Sequence, residues 1–154
     1  PDILARVLLE QASHPENRKA MAQRQELTDS LARILVSAEA SFVAKESVCL
    51  ALVDLSKEEA NHATIAVPHI LDAMIKTFSD RSAMMNQIES RRTRLRETII
   101  QIILNLSRTP STWKPMANQT LLLQSLLQYA SSTSTHHNLK KQIKAVILQL
   151  AAEL

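Results

Sequence analysis

The sequence predicts one all-helical domain, built as a solenoid of about three repeats. Two features of composition indicate helices: the 154 residues include no glycine, and aromatic residues make up only 3%. Sheet proteins usually need glycine in hairpin turns and bulges, and they favour aromatic residues on the pleated surface. The third observation is an internal repeat with a period of about 40 to 50 residues, which is typical of stacked helical units. A chain of this length is expected to form a single core.

The repeat is anchored at Ser13, Ser56, Ser107 and Ala151, which are 43, 51 and 44 residues apart. The positions one, four, five and eight residues before each anchor are apolar in all four copies. These offsets lie on one face of a helix, so each copy is expected to bury that face. The sixteen residues are Ala12, Leu55, Leu106, Leu150, Leu9, Leu52, Ile103, Ile147, Leu8, Ala51, Ile102, Val146, Ala5, Val48, Ile99 and Ile143. Two further columns of aligned apolar or aromatic positions follow the first three anchors. Leu27, Ile70 and Leu121 lie 14 residues after them, and Leu35, Phe78 and Tyr129 lie 22 residues after them.

Each period predicts a short, a middle and a longer third helix. The boundaries are a leading helix over 3–13 and repeats over 14–56, 57–107 and 108–151, with first-repeat helices at about 15–23, 26–36 and 42–55. The short helices open with Pro15, Glu58-Glu59 and Pro110, which suit a first turn. The serine anchors are predicted to cap those starts through their hydroxyls.

The stretch His14–Met21, followed by Leu27–Leu35 and Val43–Ser56, resembles an armadillo repeat, and the later repeats match mostly by pattern. The resemblance implies a right-handed α–α superhelix of about three three-helix repeats that binds other proteins. No catalytic constellation is recognisable in the sequence, so enzymatic activity is not expected. The family usually has a glycine between its first two helices, where this chain has Gln25-Glu26, Ala66-Val67 and Asn118-Gln119. In this respect the chain is similar to the neighbouring HEAT type.

The resemblance also implies a binding groove along the third helices. In armadillo proteins, asparagines two residues before the anchor hold an extended peptide. The corresponding ladder here is Gln11, Asp54, Asn105 and Gln149, and we add Gln101 and Thr98 of the same predicted helix as Asn105. The alternative is a solvated polar helix face. Import carriers place tryptophans four residues earlier, at Val7, Leu50, Gln101 and Ala145 here, so binding of nuclear-import signals is disfavoured.

The second repeat carries an insertion. Phe78 and Leu95 are 17 residues apart, whereas their counterparts Leu35 and Ala44 are 9 apart. The arginines of this region are Arg81, Arg91, Arg92, Arg94 and Arg96, with apolar Met84, Met85 and Ile88 at helical spacing. They indicate either an acidic or phosphate-bearing partner or a lengthened third helix with a solvated basic face.

Other candidate sites are weaker. His136-His137, and His62 with His69, lack metal-ligand spacing, so no metal and no cofactor is predicted. Cys49 is expected to be a partly buried small side chain, and Trp113 a packing residue between repeats. Glycine-rich phosphate loops are absent from the sequence.

Net charge and composition do not decide between several kinds of binding partner. The net charge of +3 is modest for a dedicated nucleic-acid binder, so a protein segment is the first hypothesis and nucleic acid the alternative. With a single cysteine and no apolar run of about 18 residues, an intracellular location (cytoplasm or nucleus) and no membrane span are expected. A chain that begins with Pro1 is expected to be processed, or to be a stretch of a longer solenoid or a structural subunit. In a longer solenoid, a preceding repeat would cover the apolar leading-helix residues Ile3, Leu4, Val7 and Leu8. Self-association through the end repeats is a further hypothesis.

Overall fold

The computed structural model describes residues 1–81, 85–132 and 135–154, and within them the regular structure is helical, with no strand. The helices are α1 (Asp2–Ser13), α2 (Pro15–Gln23), α3 (Gln25–Val36), α4 (Phe42–Ser56), α5 (His62–Ile65), α6 (Pro68–Ser79), α7 (Glu89–Leu106), α8 (Trp113–Ala117), α9 (Thr120–Ala130) and α10 (His137–Ala151). Short 3-10 turns, Glu59–Asn61 and Pro110–Thr112, lead into α5 and α8. The four helices predicted for the leading segment and the first repeat are confirmed within one residue at each end.

The long helices pack in two series. In one, α1 lies against α4, α4 against α7, and α7 against α10. In the other, α3 lies against α6, and α6 against α9. The short helices lie at the connections: α2 contacts α1, α3 and α4, and α8 contacts α9 and α10. Each long helix therefore buries its apolar face against the neighbouring long helices of its own series.

The hydrophobic core follows the predicted columns. Fourteen of the sixteen aligned apolar side chains before the anchors are buried, while Leu9 and Ile147, on the two end helices, are partly buried. In its series, each of α1 and α10 packs against a long helix on one side only, which explains why Leu9 and Ile147 are less buried than the others. In the two later columns Leu121 departs from the pattern, since it is 58% exposed, whereas Ile70 and Leu35 are buried.

The predicted serine caps are wrong. Ser13 Oγ donates to the carbonyl of Glu10, Ser56 Oγ to that of Val53, and Ser107 Oγ to that of Leu104. Each hydroxyl bonds backwards because the last carbonyls of a helix have no partner within the helix. The short helices that follow have no side-chain cap at their starts.

The ends of α1, α4 and α7 are capped instead by side chains of the segments that follow, which are α2 and the two 3-10 turns. Arg18 Nε donates to the Ala12 carbonyl at 2.9 Å, Asn61 Nδ2 to that of Leu55 at 3.0 Å, and Thr112 Oγ1 to that of Leu106 at 2.6 Å. In each case the donor lies six residues after its acceptor. These bonds fix the turn between each of the three long helices and the short segment that follows it.

Candidate functional site

The ladder carried over from the armadillo resemblance is partly engaged inside the protein. Asn105 is buried, donates from Nδ2 to Ser56 Oγ at 2.9 Å, and accepts from Gln101 Nε2 at 2.9 Å. Thr98 Oγ1 donates to the carbonyl of Arg94 within the same helix, α7. The Asn105 carboxamide thus joins α7 to the end of α4, and both its donor and its acceptor side already have partners.

The other ladder positions lie nearer the surface. Asp54 pairs with Lys57 Nζ at 2.7 Å and lies 3.8 Å from Arg18. Gln11 is exposed, and its Oε1 accepts from Asn17 Nδ2 at 3.1 Å. Gln149 is exposed and makes no side-chain hydrogen bond to the described residues. Only this last carboxamide is free of internal hydrogen bonds, so the ladder remains a predicted peptide site rather than an assembled one.

The positions where import carriers have tryptophan are all exposed. Val7 is 47% exposed and Leu50 45%, while Gln101 and Ala145 are also on the surface. On α1, Ile3 and Leu4 are exposed as well, but Leu8 is buried by this chain itself. Leu8 therefore does not need the external cover that was expected for the leading helix.

The arginine-rich segment lines a groove of about 1090 Å³ between the end of α6, the first turns of α7 and the second half of α9. Four of the five predicted arginines reach it: Arg81, Arg92, Arg94 and Arg96. Tyr129 and Gln128 of α9 form the opposite side, and Met85 lies at the edge. Met84 lies outside the described residues.

Two of the five arginines hold the insertion in place. Arg91 forms an ion pair with Glu46 of α4, and its Cζ lies 5.0 Å from the centre of the Phe42 ring. Arg96 Nε donates to the Phe78 carbonyl at 3.3 Å, and its guanidinium lies over the Phe78 ring at 5.8 Å. Charge-assisted and cation–π contacts of this kind fix the start of α7 against α4 and α6.

The other three arginines have no such partner. Arg81, Arg92 and Arg94 make no hydrogen bond or ion pair with any described residue. Arg92 is half-buried, whereas Arg81 and Arg94 are exposed. The predicted alternative of a lengthened third helix holds in part, because α7 has 18 residues and α4 has 15. The arginines that it carries nevertheless differ in their surroundings.

The groove also contains aromatic and acidic side chains. Tyr129 packs edge-on against Phe78, with ring centres 5.7 Å apart. Glu89 and Glu97 share the lining with the arginines. Burial, and to a smaller extent the Glu97 carboxylate, raises the pKa of the Tyr129 phenol, so that the hydroxyl stays protonated and can donate a hydrogen bond. The described lining of the groove therefore combines guanidinium and hydroxyl donors with two carboxylates.

Sequence reasoning missed the α9 side of this groove. Tyr129 stood out only as an apolar column residue, and Ser125 and Gln128 carried no signal at all. Placing them requires knowledge that α9 packs on α6, so that its second half faces the start of α7. The repeat alignment could have supplied this, since Tyr129 and Phe78 occupy the same column.

Three other candidate residues, His62, Trp113 and Cys49, lie in the core or against it. His62 is buried, with Nδ1 at 2.6 Å from Thr109 Oγ1 and Nε2 at 2.7 Å from the Ser56 carbonyl. Trp113 is partly buried and its Nε1 donates to the Ser107 carbonyl, which agrees with the predicted packing role. Cys49 is fully buried, so the prediction of a partly buried side chain is wrong. Among the described residues, no group of three or more His, Cys, Asp or Glu side chains is placed to hold a metal ion.

Comparison with protein-family models, with curated proteins and with solved structures found no match. In the part of the chain that the structure describes, no helix has both the length and the apolar character needed to cross a bilayer.

Proposed function

We propose that the chain is a non-catalytic protein-interaction module that holds a segment of another protein in the arginine-lined groove. The scaffold proposed for it is an armadillo-like solenoid, a right-handed superhelix of about three three-helix repeats. The successive packing of α1, α4, α7 and α10, alongside that of α3, α6 and α9, supports such a stacked arrangement. The proposed compartment is the cytoplasm or the nucleus.

The observation that carries this function is the set of guanidinium groups in the groove that form no hydrogen bond or ion pair with any described residue. Arg81 follows α6, while Arg92 and Arg94 lie on α7, yet all three line the same cavity. A groove of about 1090 Å³ is larger than most small-molecule sites and has the size to receive several residues of an extended chain. The partner is therefore expected to be acidic.

The third-helix ladder is the second part of the proposed surface. Gln149 and Gln101 are exposed on α10 and α7, and Val7 and Leu50 supply apolar neighbours on α1 and α4. Because Asn105 is buried and bonded, we place the stronger contacts of a partner at the groove rather than along the ladder.

Nucleic-acid binding is the alternative function, and the five arginines between Arg81 and Arg96 are its basis. Sequence-independent nucleic-acid binding uses continuous basic surfaces that follow a phosphate backbone. Here Glu89 and Glu97 lie among the arginines and would repel such a backbone. The mixed charge favours a partner that carries few, localised negative charges.

The test is a selection of random displayed peptides against the whole chain, followed by affinity measurements on two charge-matched double variants. Arg92→Glu with Arg94→Glu changes the groove, and Lys141→Glu with Lys144→Glu makes the same charge change on the exposed face of α10. Selected peptides are expected to be acidic and to lose about tenfold or more in affinity for the groove variant only. Equal affinity for both variants, or selection of no peptide, would overturn the proposal.

A further inference from the structure

The unpaired arginines of the groove define what kind of negative charge it can hold. Arg92 and Arg94 lie on the first turns of α7, and Arg81 follows α6, so guanidinium groups approach the same cavity from two sides. Each guanidinium presents a planar fork of donors that matches two oxygens of one anion. Three such groups offer more donors than a single carboxylate can accept. A tetrahedral anion with three terminal oxygens can accept more of these hydrogen bonds.

The charge balance of the groove leads to the same ligand. Four arginines and two glutamates line it, so that the lining carries a net charge of +2. A phosphomonoester carries about −1.5 to −2 near pH 7, whereas an aspartate or glutamate carries −1. A single phosphoryl group thus neutralises the groove. A polyanion would bring further charges close to Glu89 and Glu97.

The neutral donors around the arginines also suit a phosphoryl group. Ser90 and Thr93 of α7 and Tyr129 of α9, whose side chains end in hydroxyl groups, are among the residues that line the groove. We infer that the groove binds a phosphorylated serine or threonine within a segment of a partner protein. This inference rests on the proposed function, since it names the chemistry of the segment bound there.

The two pinned arginines have a different role in this site. Arg96 is held against Phe78, which sits edge-on to Tyr129, so it positions one wall of the groove. Arg91 turns away to Glu46 and does not line the cavity. Arg81, Arg92 and Arg94 are therefore the phosphate-binding residues, and Arg96 is a positioning residue.

The experiment uses three dye-labelled peptides of one sequence, with a central phosphoserine, glutamate or serine, and a single-stranded DNA of matched length. Affinities are measured by fluorescence anisotropy for the unaltered chain, for Arg92→Glu/Arg94→Glu and for Lys141→Glu/Lys144→Glu. We expect the phosphopeptide to bind about tenfold or more tightly than the serine peptide, with glutamate in between, and the groove variant alone to abolish the difference. Phosphopeptide binding should also weaken between pH 7 and pH 5, because the second phosphate ionisation has a pKa near 6.

The possible failures can be told apart. If the glutamate peptide matches the phosphopeptide and both need Arg92 and Arg94, the phosphate inference falls while the acidic-segment function stands. If no peptide responds to the groove variant, both fall. If the DNA binds more tightly than the phosphopeptide, and does so through the same arginines, the phosphates recognised belong to nucleic acid, and both are overturned. Helical circular dichroism of each variant shows that the fold is kept, as expected for side chains without internal bonds.

Discussion

Asn105 of α7 donates a hydrogen bond from Nδ2 to the Oγ of Ser56, the residue that ends α4, at 2.9 Å. The same Ser56 hydroxyl donates to the Val53 carbonyl, and the Ser56 carbonyl lies 2.7 Å from His62 Nε2. Ser56 is thus the meeting point of α4, α5 and α7. This polar junction lies at the edge of an otherwise apolar core.

Replacing Asn105 with alanine is expected to destabilise the fold by about 1–3 kcal/mol, because two hydrogen bonds are lost and a buried hydroxyl loses a partner. Urea unfolding followed by circular dichroism measures this. Gln149→Ala is the matched control, since that carboxamide is exposed and unbonded, and it should change stability by less than about 0.5 kcal/mol. An equal effect of the two substitutions would show that Asn105 serves as a surface ladder residue and not as a junction.

His62 is expected to contribute to the same junction. His62→Ala should lower the free energy of unfolding by about 1–3 kcal/mol, because Thr109 Oγ1 and the Ser56 carbonyl both lose a partner. His69→Ala is the control. His69 pairs with Asp29 at 2.9 Å, but both side chains are more than 40% exposed, so the loss should stay below about 1 kcal/mol. A smaller effect at His62 than at His69 would contradict the placement of His62 in the core.

The helical periodicity predicted the core but could not predict this junction. Positions such as Leu52 and Ile102 recur at offsets of one helix face. Local helix geometry and the apolar side chains are enough to recognise which face will be buried. Asn105 and Ser56 are 49 residues apart, and their contact depends on how α7 settles on α4. The serine caps were wrong for a related reason. A serine hydroxyl at a helix boundary can accept from an N–H of the next helix or donate to a carbonyl of the preceding one. The choice depends on the backbone geometry of the turn between the two helices.

The insertion shows the same limit. Five arginines in one short segment looked equivalent in the sequence, yet Arg91 contacts Glu46 and Phe42 of α4, whereas Arg92 has no hydrogen bond or ion pair with any described residue. Arg91→Ala is therefore expected to destabilise the fold by about 1–2 kcal/mol through the lost ion pair and cation–π contact. Arg92→Ala should change stability by less than about 0.5 kcal/mol while weakening phosphopeptide binding. Thermal melts of the two variants separate these roles, and the opposite order of stabilities would refute the division.

The orientation of α4 can be tested with two neighbouring leucines. Leu52 is fully buried and Leu50 is 45% exposed. Leu52→Ala is expected to cost about 2–5 kcal/mol, because it removes buried methyl groups and leaves a cavity. Leu50→Ala should cost less than about 1 kcal/mol. Chemical denaturation measures both, and comparable losses would mean that the exposed face of α4 is covered in solution, for example by self-association.

Cys49 supplies a prediction about pH. Burial, with a smaller contribution from the Glu46 carboxylate, raises the pKa of its thiol from 9.0 to about 12. Above pH 9 the unfolded chain ionises its thiol while the folded chain does not. The stabilisation from the neutral thiol is therefore complete below pH 9 and is lost as the pH rises towards 12.

The stability difference between the unaltered chain and Cys49→Ala should accordingly shrink by about 2 kcal/mol between pH 8 and pH 10.5. Urea titrations of both proteins at the two pH values measure this change, and taking the difference removes the titration of the lysines and tyrosine that both share. The thiol should also resist iodoacetamide at pH 8 until denaturant is added, because the reactive species is the thiolate. An unchanged stability difference, or rapid alkylation of the folded chain, would mean that Cys49 is more accessible than its position in the core of α4 implies.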